Sequence, residues 1–129
     1  MRTRTRTPLN VLLASGLALI LIGCTKSPEP PDMRIPERFI GEWNTELKDC
    51  GTGDNDSRLR IESERVRFHE SSGTVQTAAV EADNTLALIA EFKGEGQTWL
   101  GEHRFRLSDD GQSLSERIGA QERVRRRCP

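Results

Sequence analysis

Residues 99–107 read Trp99-Leu100-Gly101-Glu102-His103-Arg104-Phe105-Arg106-Leu107. Trp99, Gly101, His103, Phe105 and Leu107 fall on one side of this stretch, and Glu102, Arg104 and Arg106 on the other. Successive side chains of a β-strand point to opposite faces, so a period of two marks a strand with one buried and one wet face. The same period runs through Arg58-Leu59-Arg60-Ile61-Glu62 and Arg65-Val66-Arg67-Phe68-His69, and it places Leu86, Leu88, Ala90 and Phe92 together. Clean alternation over several segments belongs to antiparallel sheets.

Turn-forming residues separate these segments: Gly51 to Asp56, Ser71-Ser72-Gly73, Asp83-Asn84, Gly94-Glu95-Gly96, Asp109-Asp110-Gly111 and Gly119-Ala120. They delimit eight expected strands at 38–47, 57–63, 65–71, 74–82, 85–93, 97–107, 112–118 and 121–127. No helical period interrupts them. The expected fold is therefore all-β, a small up-and-down antiparallel barrel of eight strands. Such a barrel closes with its interior just filled or with room for one small ligand. A flatter β-sandwich is the alternative.

The chain begins differently. Arg2, Arg4 and Arg6 precede the apolar run Val11 to Ile22, VLLASGLALILI, which is too short to span a bilayer comfortably. A charged start, a short apolar core and a small residue at its end form a secretory signal. Leu21-Ile22-Gly23-Cys24 resembles the lipobox of bacterial lipoproteins. That resemblance implies a signal peptide over 1–23, removed on maturation, and a lipid-carrying Cys24 that holds the protein to a membrane. Thr25 stands where an Asp would retain an enteric lipoprotein at the inner membrane, which favours the outer membrane, facing the periplasm. Four prolines among Thr25 to Pro36 make residues 24–36 an extended tether. Residues 37–129 remain as one domain.

Without the three arginines of the signal, the chain carries 16 basic and 20 acidic residues, a net charge of −4. That balance argues against a nucleic-acid partner, which calls for a basic excess. With Cys24 given to lipid, Cys50 and Cys128 form an even pair, expected to be disulfide-bonded in an oxidising compartment.

Gly41-Glu42-Trp43 follows the tether, and its Gly-x-Trp pattern resembles the opening of the first strand in lipocalins and avidin-like barrels. The resemblance implies that Gly41 permits a bend at the barrel base and that Trp43 plugs the floor. It also implies that a late arginine (Arg125, Arg126 or Arg127) stacks over that Trp, and it gives the late cysteine of the lipocalin disulfide a counterpart in Cys128. The chain has no tyrosine, so neither the lipocalin Thr-Asp-Tyr motif nor the tyrosine of an avidin biotin site is present. The barrel shape carries over; a ligand does not.

Catalytic motifs are lacking: no Gly-x-Ser-x-Gly elbow, phosphate loop or His-Glu-x-x-His occurs. No cofactor or metal is expected and the protein is read as a non-enzyme. Asp54-Asn55-Asp56 lacks the register of a calcium loop and reads as a solvated turn. The candidate pocket comprises Trp43, Trp99, His103 and Phe105, with His103 as its polar handle. Arg123, Arg125, Arg126 and Arg127 form a candidate patch for an anionic partner, against the alternative of outward arginines paired to acids such as Glu116. The function expected is that of a monomeric, lipid-anchored module of the bacterial envelope that binds an envelope protein or a small apolar ligand. The alternative is an inhibitor of a secreted lysozyme or protease.

Overall fold

A computed structural model describes residues 32–53 and 55–129. The expected signal peptide, Cys24, most of the tether and Asp54 lie outside the described residues. Eight strands form a closed antiparallel barrel in chain order: β1 (Gly41–Asn44), β2 (Leu59–Ile61), β3 (Arg65–Arg67), β4 (Ser72–Val80), β5 (Thr85–Gly94), β6 (Gln97–Leu107), β7 (Ser113–Ile118) and β8 (Gln121–Arg127). β8 returns to pair with β1 through Trp43–Arg127 and Asn44–Arg126. Pairing of β8 with β1 removes the two outer edges that an open meander would leave exposed, while β6 extends past β7 at Gln97–His103.

The period of two read from the sequence is what fills the interior. Leu59, Ile61, Val66, Leu86, Leu88, Ala90, Phe92, Phe105, Leu107 and Leu114 are all buried, each on the inward row of its strand. Glu95 and Gly96 both take positive φ, 49° and 76°, and join β5 to β6 with the two-residue turn whose twist suits a hairpin. A register shift between Val75 and Thr77 bends β4 around the barrel.

The first four strands are shorter or displaced relative to the alternation. Residues 38–47 were expected to be one strand, yet β1 covers only Gly41–Asn44. A 3-10 turn at Glu37–Phe39 precedes it and another at Leu47–Asp49 follows. The cause is local. Gly41 sits at φ 144°, a bend that a side chain would resist, and its missing Cβ leaves 3.2 Å to Arg127 Nη1. The turn before it drops Phe39 across the end of the barrel, where Phe39 is fully buried.

That end is closed. The Trp43 indole N–H donates to the Phe39 carbonyl at 3.0 Å. The Arg127 guanidinium lies 4.1 Å from the Trp43 ring centroid. It donates to the carbonyls of Ile40 and Gly111 at 2.8 Å each, and to that of Arg38. Of the three arginines considered for this place, Arg127 takes it. The described chain also enters here: Asp32 bridges to Ala78, and the Ile35 N–H donates to the Ser63 carbonyl at 2.7 Å. Cys50 and Cys128 are bonded with Cα atoms 5.6 Å apart, tying the β1–β2 loop to the end of β8.

Phe92 shows how tightly the other end is packed. A Cβ added to Gly73 on β4 would lie 2.6 Å from its ring, and one added to Gly101 on β6 would lie 2.8 Å from it. Two glycines on the neighbouring strands make room for one aromatic ring. Gly73→Ala and Gly101→Ala should each cost about 1–3 kcal/mol in urea unfolding, the usual penalty for overpacking. Phe92→Leu should recover part of it by freeing that space; no recovery would mean that the ring is not what the alanine meets.

Candidate functional site: the barrel mouth

The end opposite Trp43 is open. Its wall comes from the inward rows of four strands and the β3–β4 connection. On β6, Trp99 and His103 face inward; Trp99 stacks on Phe92 at 5.8 Å between centroids and 18° between planes, yet stays 42% exposed. Phe68 lies 5.0 Å from the His103 ring, and Ile118 on β7 is 48% exposed at the rim. These groups with Ser71 and Arg123 line a cup of about 250 Å³. The cup is shallow because Phe105 stacks beneath His103 at 5.6 Å and 7°. Below it the interior is filled by the apolar rows.

The floor of the cup is ionic. Glu116 and Arg125 point into the barrel, with side chains 6% and 1% exposed. Arg125 Nη1 donates to Glu116 Oε2 at 2.9 Å, and its Nε donates to the Ser57 carbonyl at 2.8 Å. His103 Nδ1 lies 2.7 Å from Glu116 Oε1. A carboxylate only accepts, so this nitrogen carries the hydrogen and donates. Burial alone would raise the Glu116 carboxyl, but the hydrogen bonds and charges of His103 and Arg125 outweigh it and hold it below its ordinary range. Burial likewise pushes the Arg125 guanidinium down, and Glu116 opposes that. Glu116 is therefore ionised at neutral pH and serves as the counterion of a buried arginine.

This arrangement corrects the reading of β8 as a strand with outward arginines. Glu116 sits on the same inward row as Leu114, and the register sets Leu114 opposite Arg125 and Glu116 opposite Arg123. Parity therefore sends Arg125 inside and leaves Val124 outside, 47% exposed. The pairing of an arginine with Glu116 is present, but in the interior. Of the four arginines taken as a patch, Arg123 and Arg126 are exposed, while Arg125 and Arg127 are bound within the molecule.

The four candidate pocket residues do not meet in one place. Trp99 and His103 line the mouth, Phe105 lies under His103, and Trp43 is at the closed end. Sequence reasoning missed Glu116, Phe68 and Phe92 as mouth residues. The available signal was parity: Glu116 is two residues from both Leu114 and Ile118, an acid on an apolar row.

Chemically, the floor is a set of satisfied charges. Among the described residues no hydroxyl or thiol hydrogen-bonds His103, so no nucleophile is paired with it. No cluster of three His, Cys, Asp or Glu able to hold a metal occurs among them either. Asn55 Oδ1 accepts from the Ser57 N–H and hydroxyl at 3.1 and 2.8 Å, an Asx turn.

The fold and its site define a small, disulfide-stapled, closed antiparallel β-barrel with one plugged end and one shallow, aromatic-rimmed mouth. No protein-family model, curated protein or solved structure matches this chain.

Proposed function

We propose that the protein is a lipid-anchored interaction module of the bacterial envelope and that it meets its partner at the barrel mouth. One observation carries this reading: apolar side chains are left exposed around the open end, opposite the end where the chain enters. Trp99 and Ile118 stand half-exposed there, and Leu100 is 70% exposed on the outer wall beside them. Clustered exposed apolar groups rimmed by charge mark a contact surface. The described chain enters at the closed end, at Asp32 and Ile35, so an anchor on Cys24 would leave the mouth facing away from the membrane.

The filled interior favours a macromolecular partner over a carrier role. The cup of about 250 Å³, with buried charges in its floor, falls below the usual range for small-ligand pockets, roughly 300–1,000 Å³, and the neighbouring cleft of about 550 Å³ between β6 and β7 is lined mostly by charged side chains, which do not suit an apolar ligand. The inhibitor reading needs a protruding loop. The segment Lys93 to Thr98 is a tight hairpin end, and Gly51 is tied down by its N–H to Glu42 Oε1 at 3.0 Å. Loss of lysozyme or protease activity on stoichiometric titration would restore that alternative.

The anchor is tested by fractionation. The protein should sediment with membranes, and Cys24→Ser should move it to the soluble periplasmic fraction. Retention of the variant in the membrane fraction would contradict the anchor.

A further inference from the structure

The cup at the barrel mouth holds one unmet polar group. His103 Nδ1 is taken by Glu116 at 2.7 Å, and its Nε2 has no hydrogen-bond partner among the described residues. The buried side-chain atoms left unpaired among those residues are Asn44 Oδ1 and Arg58 Nε; His103 Nε2 is not one of them and so reaches solvent. It lies on the mouth side of the ring, 3.5 Å from where a Cβ on Gly101 would stand. Three aromatic rings surround that space. Phe92 meets the His103 ring edge-on at 5.1 Å, Phe68 lies 5.0 Å from it, and Trp99 stacks on Phe92.

The charged side chains on the cup are Glu116, Arg123 and Arg125. Glu116 and Arg125 neutralise each other, so Arg123 is left over. It stands opposite Glu116 in the register, hence on the inward row of β8, and forms no ion pair among the described residues.

This chemistry sorts the side chains that a partner can insert. A lysine or arginine meets the surplus guanidinium. A leucine or phenylalanine fills the space but strips water from Nε2 and leaves it unpaired, which is penalised. A carboxylate meets Arg123 but lies badly against ring faces, which are negative. An indole N–H can only donate. A phenol fills the aromatic space, and its hydroxyl donates or accepts, so it satisfies Nε2 in either protonation state of the imidazole. Its ring also offers a face to Arg123.

We propose that the cup receives a tyrosine side chain from a partner protein, with its ring against Phe68, Phe92 and Trp99 and its hydroxyl on His103 Nε2. The proposal rests on the interaction-module reading and specifies the anchor residue. A cup of about 250 Å³ takes one such side chain, and buried tyrosines are frequent anchors of interfaces. The chain has no tyrosine, so a second copy does not supply it.

The test uses the full protein as the cell makes it, purified in detergent, with ¹⁵N in its two histidines, His69 and His103. The probes are the blocked peptide Ser-Val-Tyr-Val-Ser, the same peptide with Phe or Lys for Tyr, and p-cresol. The tyrosine peptide should bind with about millimolar affinity and shift the His103 Nε2 resonance. The phenylalanine peptide should bind about threefold to tenfold more weakly, as loss of one hydrogen bond implies, without that shift. The lysine peptide should not bind, and p-cresol, which has no flanks to lie on Ile118, should bind more weakly than the tyrosine peptide. His103→Leu should bring the tyrosine and phenylalanine peptides to equal affinity. Should that variant not fold, Arg123→Gln should weaken the tyrosine peptide about twofold to fivefold without lowering the unfolding temperature. Equal binding of the tyrosine and phenylalanine peptides to the wild type, binding that leaves His103 Nε2 unshifted, p-cresol binding as tightly as the peptide, or no binding of the tyrosine peptide would each overturn the proposal. A photoreactive group at Ile118 that captures an envelope protein when the peptides fail would leave the interaction module standing; failure of both would remove it as well.

Discussion

Glu116→Ala should destabilise the barrel by about 3–5 kcal/mol, read as a fall in the urea midpoint at pH 7. The reason is what remains. Arg125 stays buried at 1% exposure with one carbonyl partner and no counterion, and stranding one member of a buried ion pair costs that much. His103 also loses its acceptor. The joint replacement Glu116→Leu with Arg125→Met should recover most of the loss, because removing both charges also removes both desolvation costs. If the single and joint replacements were equally harmful, side-chain volume and not charge would be deciding the outcome.

The pH dependence follows from the same group. The folded-state pKa of Glu116 lies below its ordinary 4.5, held there by His103 and Arg125 against burial. A depressed carboxyl contributes stability that is fully present above the unfolded value and is lost as pH falls through the folded one. The groups packed on it are His103 from β6 and Arg125 from β8, with Arg123 close enough to Arg125 to act on it. Wild-type stability should therefore fall in acid below about pH 4.5. Glu116→Gln, measured by the same urea series, should show a flatter acid limb; an unchanged slope would remove Glu116 from the cause.

Cys50→Ser with Cys128→Ser should be the other large effect. The bond spans 78 positions of sequence, and a closed loop of that size confers roughly 4.5 kcal/mol in the chain-entropy account. A single domain of this length has only about 5–15 kcal/mol in total. The bond also fixes the β1–β2 loop, whose Gly51 N–H donates to Glu42 Oε1, the oxygen that also accepts from Asn44 Nδ2 at the end of β1. Thermal unfolding with and without reductant gives the comparison. A shift of only a degree or two would mean that the loop is held by Glu42, which also pairs with Arg58 and Arg60 at 3.8 and 3.9 Å, not by the sulfur bridge.

The eight-strand order was legible because alternation and turn residues act locally. For β6 the expected and observed bounds coincide at Gln97–Leu107, and the closed antiparallel barrel is present as expected. The first strand was misread because Phe39 and Trp43 are paired through a backbone carbonyl, a contact that no periodicity encodes. The mouth was only partly legible. Trp99 and His103 were placed on an inward row, but the inward turn of Arg125 depends on Glu116 being across the sheet to receive it. An arginine-rich strand read alone looks solvated; beside an acid on an apolar row it becomes half of an internal pair. The reach of β6 past β7 was already in the expected bounds, 97–107 against 112–118, and the observed strands keep that mismatch.

These features converge on one division of labour. Trp43, Arg127 and Phe39 seal the end where the described chain enters, and the Glu116–Arg125 pair forms the floor of the cup at the other end. The most direct measurement is site-specific photo-crosslinking in the producing cell. A photoreactive phenylalanine at Trp99 or Ile118 should give discrete adducts with an envelope partner, while the same group at Asp83 in the β4–β5 turn at the closed end should give none. Adducts at Asp83 alone, or none at either mouth position, would contradict the account.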